Sequence, residues 1–242
     1  MSASFRRSGL ILAALALGGA VSLQAMANEP PLPPPRPSEP VTPAPPAQQA
    51  PSQAPNEGAA ACLAKLTAAG ASAEATAAPA SSVEGCGIDA PVRLSSLTVD
   101  GGAVSLPERP LLACEFAAVL ADYVRLIVAP LGQAMLHAKV TAIETGPGYE
   151  CRTQDRVAGA KISAHAKGLA VDFVAIGMAD KRRVLVERQT SAEEASYLHA
   201  VRRAACGWFT TVLGPGSDAF HASNMHLDVA RHDPSGSYRI CE

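Results

Sequence analysis

Residues 163–172 read SAHAKGLAVD and lead into an apolar run that continues to residue 176. His165 precedes Asp172 by seven residues, and Gly168 lets the chain turn tightly between them. The apolar run predicts a buried strand whose single charged group is Asp172. A buried carboxylate is costly unless it is paired or bound to a metal. Backbone N–H groups, an arginine or a metal would each satisfy it.

A second informative segment, residues 221–230, reads HASNMHLDVA and predicts a strand over residues 225–230. Alternate side chains of a strand point to opposite faces, so this one has an apolar and a polar face. The apolar face comprises Met225, Leu227 and Val229, and the polar face comprises Asn224, His226 and Asp228. A polar stripe on an otherwise apolar strand indicates a site, although an exposed sheet face gives the same pattern.

The two segments together supply two imidazoles and one carboxylate, from His165, His226 and Asp172. This is the ligand set of a catalytic zinc ion with an open fourth position for water. Such an ion lowers the pKa of its bound water towards neutrality and polarises a carbonyl. Two nitrogens and one carboxylate suit Zn²⁺ best among the common ions, so we expect zinc as the cofactor.

The first 27 residues have the pattern of a secretory signal peptide. Arg6 and Arg7 precede an apolar stretch over residues 9–23, and a small-residue cleavage motif ends at Ala27. A single membrane anchor is the alternative, but the apolar stretch is short for one. We therefore expect cleavage after Ala27, a periplasmic or secreted protein, and no integral membrane segment after cleavage.

Residues 28–57 are expected to form a disordered linker rich in proline and alanine. Twelve of the 20 prolines fall between Pro30 and Pro55, and such a segment cannot bury a core. The remaining residues, 58–242, are long enough for one well-buried domain. The formal net charge is −2, and no run of lysine and arginine would follow phosphates, so nucleic acid is not an expected partner.

All six cysteines lie in the expected mature chain, and none belongs to a Cys-x-x-Cys pair. An even number of cysteines in an exported protein favours disulfides over redox or metal chemistry. Many connectivities are open to six cysteines. We expect the pairs Cys62–Cys86, Cys114–Cys151 and Cys206–Cys241.

Helical and strand patterns mix without regular β-α-β alternation, which favours an α+β fold. Helices are expected over residues 59–69, over residues 112–128, and from a capping box at Ser191 and Glu194 to residue 206. Strands are expected over residues 139–145, 169–176, 183–187, 211–213 and 225–230. Residues 71–82 are expected to be loose. The predicted domain is a small, mainly antiparallel sheet with packed helices, stapled by disulfides.

The motif Ser163-x-His165-x-x-Gly168-x-Ala170-x-Asp172 resembles the signature of zinc D-Ala-D-Ala carboxypeptidases. More closely, residues 60–242 resemble the bacterial extensin-like C-terminal family, a relative of those peptidases. The supporting pieces occur in a consistent order: Cys86-Gly87-Ile88 before Pro91-Val92, Tyr149-x-Cys151-Arg152, Ala205-Cys206 before Phe209, Val212-Leu213-Gly214-Pro215, and His221 to Asp228. The resemblance implies a hedgehog/DD-peptidase-like fold.

The resemblance also implies His165, Asp172 and His226 as zinc ligands, and a peptide bond of the peptidoglycan stem as the substrate. Arg152 would then bind the substrate's carbonyl or terminal carboxylate, since its five N–H donors suit a carboxylate. A surface salt bridge is the alternative for Arg152. Ser163 would orient His165 or touch the substrate, with simple turn formation as the alternative.

The chain departs from the family pattern at Asn224. The family has H-x-D-H-x-H in this segment, and Asn224 stands where the first His of H-x-H would be. Asparagine cannot accept a proton at neutral pH, although it can hydrogen-bond a water or an oxyanion. His221 would substitute as the base if its loop brings it close. The catalytic candidates are therefore His221, Asn224 and Arg152.

The expected function is that of an exported zinc peptidase acting on peptidoglycan stem peptides, as a carboxypeptidase or a crosslink endopeptidase. The alternative, favoured by Asn224, is a catalytically impaired envelope protein of the same fold that binds peptidoglycan or a partner. A third hypothesis, a secreted structural module without a metal, predicts no zinc after purification.

Overall fold

The structure, a computed structural model, describes residues 57–242. The expected signal peptide and the expected linker lie outside the described residues, apart from Glu57. None of the helices within residues 57–242 has the length and apolarity needed to span a bilayer.

The described residues form a mixed α+β fold, as the sequence predicted. The helices are α1 (Glu57–Ala68), α2 (Cys114–Tyr123), α3 (Ala129–Leu136) and α4 (Ala192–Ala205). The strands are β1 (Ala71–Ala75), β2 (Pro91–Val99), β3 (Gly102–Ser105), β4 (Leu111–Ala113), β5 (Val140–Thr145), β6 (Ala170–Met178), β7 (Arg183–Leu185), β8 (Thr211–Leu213), β9 (Met225–Asp228) and β10 (Ile240–Cys241).

The strands join in one sheet with the order β1-β2-β3-β5-β6-β9-β8-β10, in which β4 also pairs with β2 and β7 with β6. All pairs are antiparallel except β3 with β5 and β8 with β10. The sheet is therefore mainly antiparallel, as expected, but with ten strands it is larger than the small sheet predicted. Strands β6 and β9, which carry two of the candidate ligands, are neighbours near its centre.

The extra size comes from β1 to β4 and β10, which the sequence analysis did not predict. Residues 71–82 were expected to be loose, and this is wrong for Ala71–Ala75, which pairs with β2. This strand lies at the edge of the sheet, and only its Ala71 is buried. It therefore lacks the alternation of large apolar and polar residues that marks a half-buried strand. Its backbone hydrogen bonds to β2, rather than its side chains, define it as a strand.

The helix expected over residues 112–128 begins later, at Cys114, and continues to Leu136. A single π-helical turn, Val124–Val128, joins α2 to α3, and the N–H of Ala129 bonds to the carbonyl of Val124. Pro130 follows at once and has no N–H to donate. A wider turn at this position lets the helix continue past the proline.

Helix α4 begins at the capping box that the sequence predicted. The Ser191 hydroxyl accepts a hydrogen bond from the Glu194 N–H at 3.2 Å. The Glu194 carboxylate reaches back to Thr190, accepting from its N–H at 2.7 Å and from its hydroxyl at 2.8 Å. These bonds satisfy amide groups that a helix start otherwise leaves without partners.

Buried aromatic rings pack α2 against the segment that follows α4. The ring of Phe209 lies 6.2 Å from that of Phe116 and 5.1 Å from that of Tyr123, both in edge-on geometry. The Tyr123 hydroxyl donates to the carbonyl of Val201, in α4, at 2.7 Å. This bond satisfies a polar group inside the core, and burial raises the pKa of Tyr123 well above its usual value.

The three disulfides are Cys62–Cys114, Cys86–Cys151 and Cys206–Cys241. The last pair is confirmed, whereas the expected pairs Cys62–Cys86 and Cys114–Cys151 are wrong. The pairing follows tertiary contact: α1 lies beside α2, and the loop at Cys86 lies beside the segment before residue 152. The paired cysteines are 52 and 65 residues apart in the sequence, so no local sequence pattern indicated that they are close in space.

Candidate metal centre

The first candidate ligand lies on a short turn that feeds directly into β6. We call residues 163–168 the ligand turn; its 3₁₀-helical part is Ala164–Lys167, and it carries His165. Gly168 ends the turn with a φ of +66°, and its carbonyl accepts from the N–H of Ala113 at 2.9 Å. This left-handed φ confirms the tight turn expected at the glycine. Glycine is required for a second reason, because a Cβ at this position would overlap the Ile88 side chain.

Strand pairing brings the other two candidate ligands opposite each other. In the antiparallel ladder of β6 and β9, Asp172 pairs with His226. Both side chains then project from the same face of the sheet. The interior of β6 is otherwise apolar and buried, with Val171 and Phe173 in the core on either side of the carboxylate.

The three predicted ligands form one cluster, in which one ligand atom from each side chain lies within 4.8 Å of the others. His165 Nε2 lies 3.2 Å from His226 Nδ1 and 3.3 Å from Asp172 Oδ2. His226 Nδ1 lies 3.0 Å from Asp172 Oδ1. The His165 side chain is only 2% exposed, whereas Asp172 is 22% exposed, so the cluster is open to solvent on the carboxylate side.

The outer nitrogen of each imidazole is held by an oxygen. His165 Nδ1 lies 2.7 Å from the carbonyl oxygen of Gly148, and His226 Nε2 lies 3.0 Å from Asp228 Oδ2. A carbonyl oxygen and a carboxylate oxygen are both hydrogen-bond acceptors, so we assign the proton of each neutral ring to this outer nitrogen. The inner nitrogens, His165 Nε2 and His226 Nδ1, then present lone pairs towards the Asp172 carboxylate. These three groups are all hydrogen-bond acceptors, so they repel one another unless a cation lies between them.

Without a metal, protons compensate the same charges. Burial disfavours a charged imidazole, but the hydrogen bonds to Asp172 and Asp228 outweigh it and raise the pKa of His226 to about 9. Burial likewise opposes the charged form of Asp172. Hydrogen bonds from His165 and His226 nevertheless hold the pKa of Asp172 well below its usual range. The pocket therefore favours positive charge between these groups, supplied by protons or by a metal ion.

Asp228 is the group that fixes the ring of His226, a role the sequence analysis did not assign. It is buried, and its Oδ1 accepts from the Thr210 hydroxyl at 3.1 Å and from the Ala230 N–H at 2.9 Å. These bonds leave Oδ2 for His226. The signal was present as the polar alternation of Asp228 with His226, but the sequence could not distinguish a ligand from an orienting group.

Gly148 was missed altogether, because its contribution is a backbone carbonyl. Its φ of +78° and its close approach to β4 both require glycine, since a Cβ would lie 2.5 Å from the carbonyl oxygen of Leu111. The available signal was its place directly before the Tyr149-x-Cys151-Arg152 motif. Tyr149 donates its N–H to the same Leu111 carbonyl at 2.7 Å, which holds the segment against β4.

The loop before β9 does bring His221 to the cluster, as its candidate role requires. Its ring centroid lies 5.5 Å from that of His226, and its side chain is 13% exposed. His221 Nδ1 lies 2.8 Å and 2.9 Å from the two carboxylate oxygens of Asp218. Asp218, which the sequence analysis did not single out, thus fixes the imidazole of His221 beside the candidate ligands by a hydrogen bond to its Nδ1.

Asn224 lies directly before β9, two residues before His226. Its amide oxygen is buried, and within residues 57–242 it has no hydrogen-bond partner. An unpaired buried acceptor costs about 1–3 kcal/mol, so this group is available for a donor that the polypeptide does not supply. A water molecule or a substrate N–H would satisfy it.

Arg152 and Ser163 both border the ligand turn. Arg152 Nε lies 3.0 Å from Glu150 Oε2, so the salt bridge weighed as the alternative is present. Its backbone carbonyl accepts from the Ser163 N–H at 3.0 Å, which places the residue next to the ligand turn. The Ser163 hydroxyl accepts from the N–H of His165 at 3.3 Å and so caps the turn.

Comparison with known proteins adds the family. The model of the family described as "Extensin-like protein C-terminus" matches residues 60–242, well over half of the chain. This protein belongs to that family. No curated protein and no solved structure matches the chain. In this extensin-like domain, three separate pieces of the sequence resemblance meet in space, because the segments around Cys86, Cys151 and His165 bond to one another.

Proposed function

We propose that this extensin-like protein is an exported, zinc-dependent peptidase-like protein that acts on peptidoglycan stem peptides in the periplasm. The proposal includes a hedgehog/DD-peptidase-like arrangement of the fold and cleavage as a carboxypeptidase or an endopeptidase. One observation carries it: three lone-pair donors, from His165, Asp172 and His226, meet within 4.8 Å. Both imidazoles have their outer nitrogens held by oxygens, which is how protein metal ligands are oriented.

The donor set fits zinc, since two imidazole nitrogens and one carboxylate leave a tetrahedral ion one open position. When bound, such an ion supplies a water of lowered pKa and polarises the carbonyl to be attacked. Asp172 is the most exposed of the three candidate ligands, so a substrate would reach the cluster from the side of this carboxylate. The carbonyl of Gly148 and the carboxylate of Asp228 would keep the inner nitrogens of the two rings turned towards the ion.

The remaining side chains are suited to substrate handling. His221, fixed by Asp218, keeps Nε2 available as a proton acceptor beside the ligands, which compensates for the asparagine at position 224. The buried amide oxygen of Asn224 would accept a substrate N–H. Arg152 would turn from Glu150 to a substrate carboxylate, because its planar guanidinium can bind either partner in the same way.

A catalytically impaired binding protein of the same fold is the second candidate. The observation that favours it is Asn224, which cannot act as a base at the position where the family places a histidine. In this role the metal cluster would be retained for structure or for binding the stem peptide. The two candidates share a metal and differ in turnover.

The test begins with the metal content of the oxidised mature protein, beside His165→Ala, His226→Ala and, as a control, His199→Ala. His199 is an exposed residue of α4. We expect one zinc per chain in the wild type and in His199→Ala, and loss of zinc in both ligand variants. A folded wild-type protein that holds no metal would contradict the proposal. Hydrolysis of purified muropeptides then separates the peptidase from the binding protein.

A further inference from the structure

We infer that the Cys86–Cys151 disulfide is a positioning device for the metal ligand His165, over and above its contribution to overall stability. The inference rests on the proposed metal site and identifies two residues that the ligand geometry depends on. The relevant unit, which we call the strap, consists of this disulfide and the two loops it joins, residues 85–88 and 148–152. Their Cα atoms at Cys86 and Cys151 are 5.5 Å apart, across 65 residues of sequence.

Each loop of the strap bonds to the ligand turn from its own side. In the first loop, Gly87 donates its N–H to the carbonyl of Ala166 at 2.9 Å. The side chain of Ile88 in the same loop fills the space where Gly168 lacks a Cβ. The second half of the ligand turn, after His165, is thus held by the loop that carries Cys86.

The second loop holds His165 itself. The N–H of Glu150 donates to the carbonyl of His165 at 3.1 Å, and the carbonyl of Gly148 accepts from His165 Nδ1 at 2.7 Å. The carbonyl of Arg152 accepts from the N–H of Ser163 at 3.0 Å. Cys151 lies inside this short segment, so the disulfide fixes the only part of the described chain that bonds to both the backbone and the ring of His165.

The other two disulfides do not share this placement. Cys206–Cys241 joins the end of α4 to β10, and β8 lies between β10 and the strand of His226. Cys62–Cys114 joins α1 to the start of α2 and borders the ligand turn on one side only, through the neighbouring Ala113 N–H, which donates to the Gly168 carbonyl. All three disulfides stabilise the protein by restricting the unfolded chain, and this effect does not depend on where the bond lies in the fold. Cys86–Cys151 alone closes two loops around a candidate ligand, so its loss should weaken metal binding in addition to lowering stability.

The experiment compares Cys86→Ser/Cys151→Ser with the control Cys206→Ser/Cys241→Ser in the full mature protein. Serine removes the bond without introducing thiols that would bind the metal. Zinc affinity is measured by competition with a chromophoric chelator, at a temperature where both variants are folded by near-ultraviolet circular dichroism. We expect affinity to fall by about 10–100-fold in the strap variant, as for other groups that orient metal ligands, and to stay near wild type in the control. Equal affinity in the two variants would overturn the inference.

A second readout needs no metal. Amide hydrogen exchange in the metal-free protein reports the Glu150 N–H, which should lose protection in the strap variant and keep it in the control. Unchanged protection there would also overturn the inference. A wild-type protein without zinc affinity would contradict the proposed function instead, while the exchange experiment would still decide whether the strap holds His165.

If the strap variant fails to fold, wild-type protein answers the question through linkage. A bond that favours zinc binding is itself favoured by zinc to the same extent. Equilibration in a glutathione redox buffer, followed by alkylation and mass spectrometry, should therefore show zinc protecting Cys86–Cys151 from reduction and leaving Cys206–Cys241 unaffected. Equal protection of both bonds, or protection of neither, would contradict the inference.

Discussion

The Nε2 atom of His226 lies 3.0 Å from the Oδ2 atom of Asp228, two residues further along β9. Side chains at this spacing share a face of a strand, so the candidate ligand and the group that orients it come from one short segment. The carboxylate keeps the imidazole proton on Nε2 and turns Nδ1 towards Asp172 and His165. The cluster of candidate ligands therefore depends on a residue that is not part of it.

Asp228→Asn is expected to weaken zinc binding by about 10–100-fold without unfolding the protein. The amide keeps an oxygen for Thr210 and Ala230 but places an NH₂ group against His226 Nε2. Nε2 must then accept, which moves the ring proton to Nδ1, the nitrogen that faces the cluster. Competition with a chromophoric chelator measures the change.

The control for Asp228→Asn is Asp180→Asn, which removes an exposed carboxylate paired with Arg182 after β6. This change should leave zinc affinity as it is. Wild-type affinity in Asp228→Asn would mean that His226 does not bind the metal through Nδ1.

Gly168→Ala is expected to destabilise the domain by on the order of 3 kcal/mol, from left-handed strain and from overpacking. The φ of this residue is +66°, and a Cβ would overlap Ile88 and lie 2.7 Å from the backbone nitrogen of Ala113. Gly159 provides a matched control, with a φ of +78° and no atom near its missing Cβ.

Gly159→Ala should therefore cost only the conformational part, about 1 kcal/mol. Urea unfolding of the metal-free proteins gives both free energies of unfolding, provided the slopes with denaturant agree. Equal losses in the two variants would mean that Ile88 and β4 move aside at little cost.

Local sequence signals were sufficient to single out the three side chains that cluster, and several of the helices and strands. The glycine between His165 and Asp172, the lone charge in an apolar strand and the alternation around His226 are all features of short segments. The capping box at Ser191 is another. Each was visible because neighbouring residues along the chain determine the structure, and the segments then meet through a single antiparallel pairing.

The parts that sequence analysis missed depend on contacts between distant segments. Strand β1 has one buried residue and exists through its bonds to β2. Gly148 acts through a carbonyl, which no side-chain pattern marks. Asp218 becomes relevant only because its loop brings it and His221 next to β9. The two disulfides that were predicted wrongly depend on the packing of α1 against α2 and of the strap against the ligand turn.

His221→Ala is expected to lower muropeptide hydrolysis by on the order of 10²–10⁴ while leaving zinc content at one per chain, because it removes a base and not a ligand. Its ring lies beside His226, but it is not part of the cluster of three mutually close ligand atoms. Asp218→Asn should reduce the rate less, since the imidazole remains and loses only its orientation. Loss of zinc in His221→Ala would instead make His221 a fourth ligand and the site a closed, structural one.

Asn224→His tests whether this position limits the reaction. A histidine there, two residues before His226, can accept a proton, so hydrolysis should rise by on the order of 10² if the wild type lacks an effective base. The rise should persist when His221 is also changed to alanine, because the new imidazole then replaces it. Asn224→Gln, which adds no base, serves as the control.

A rate that is already high in the wild type and unchanged in Asn224→His would establish His221 as sufficient. Tighter zinc binding without hydrolysis in Asn224→His would favour the binding protein, since a ligand set can be completed there without producing a catalyst.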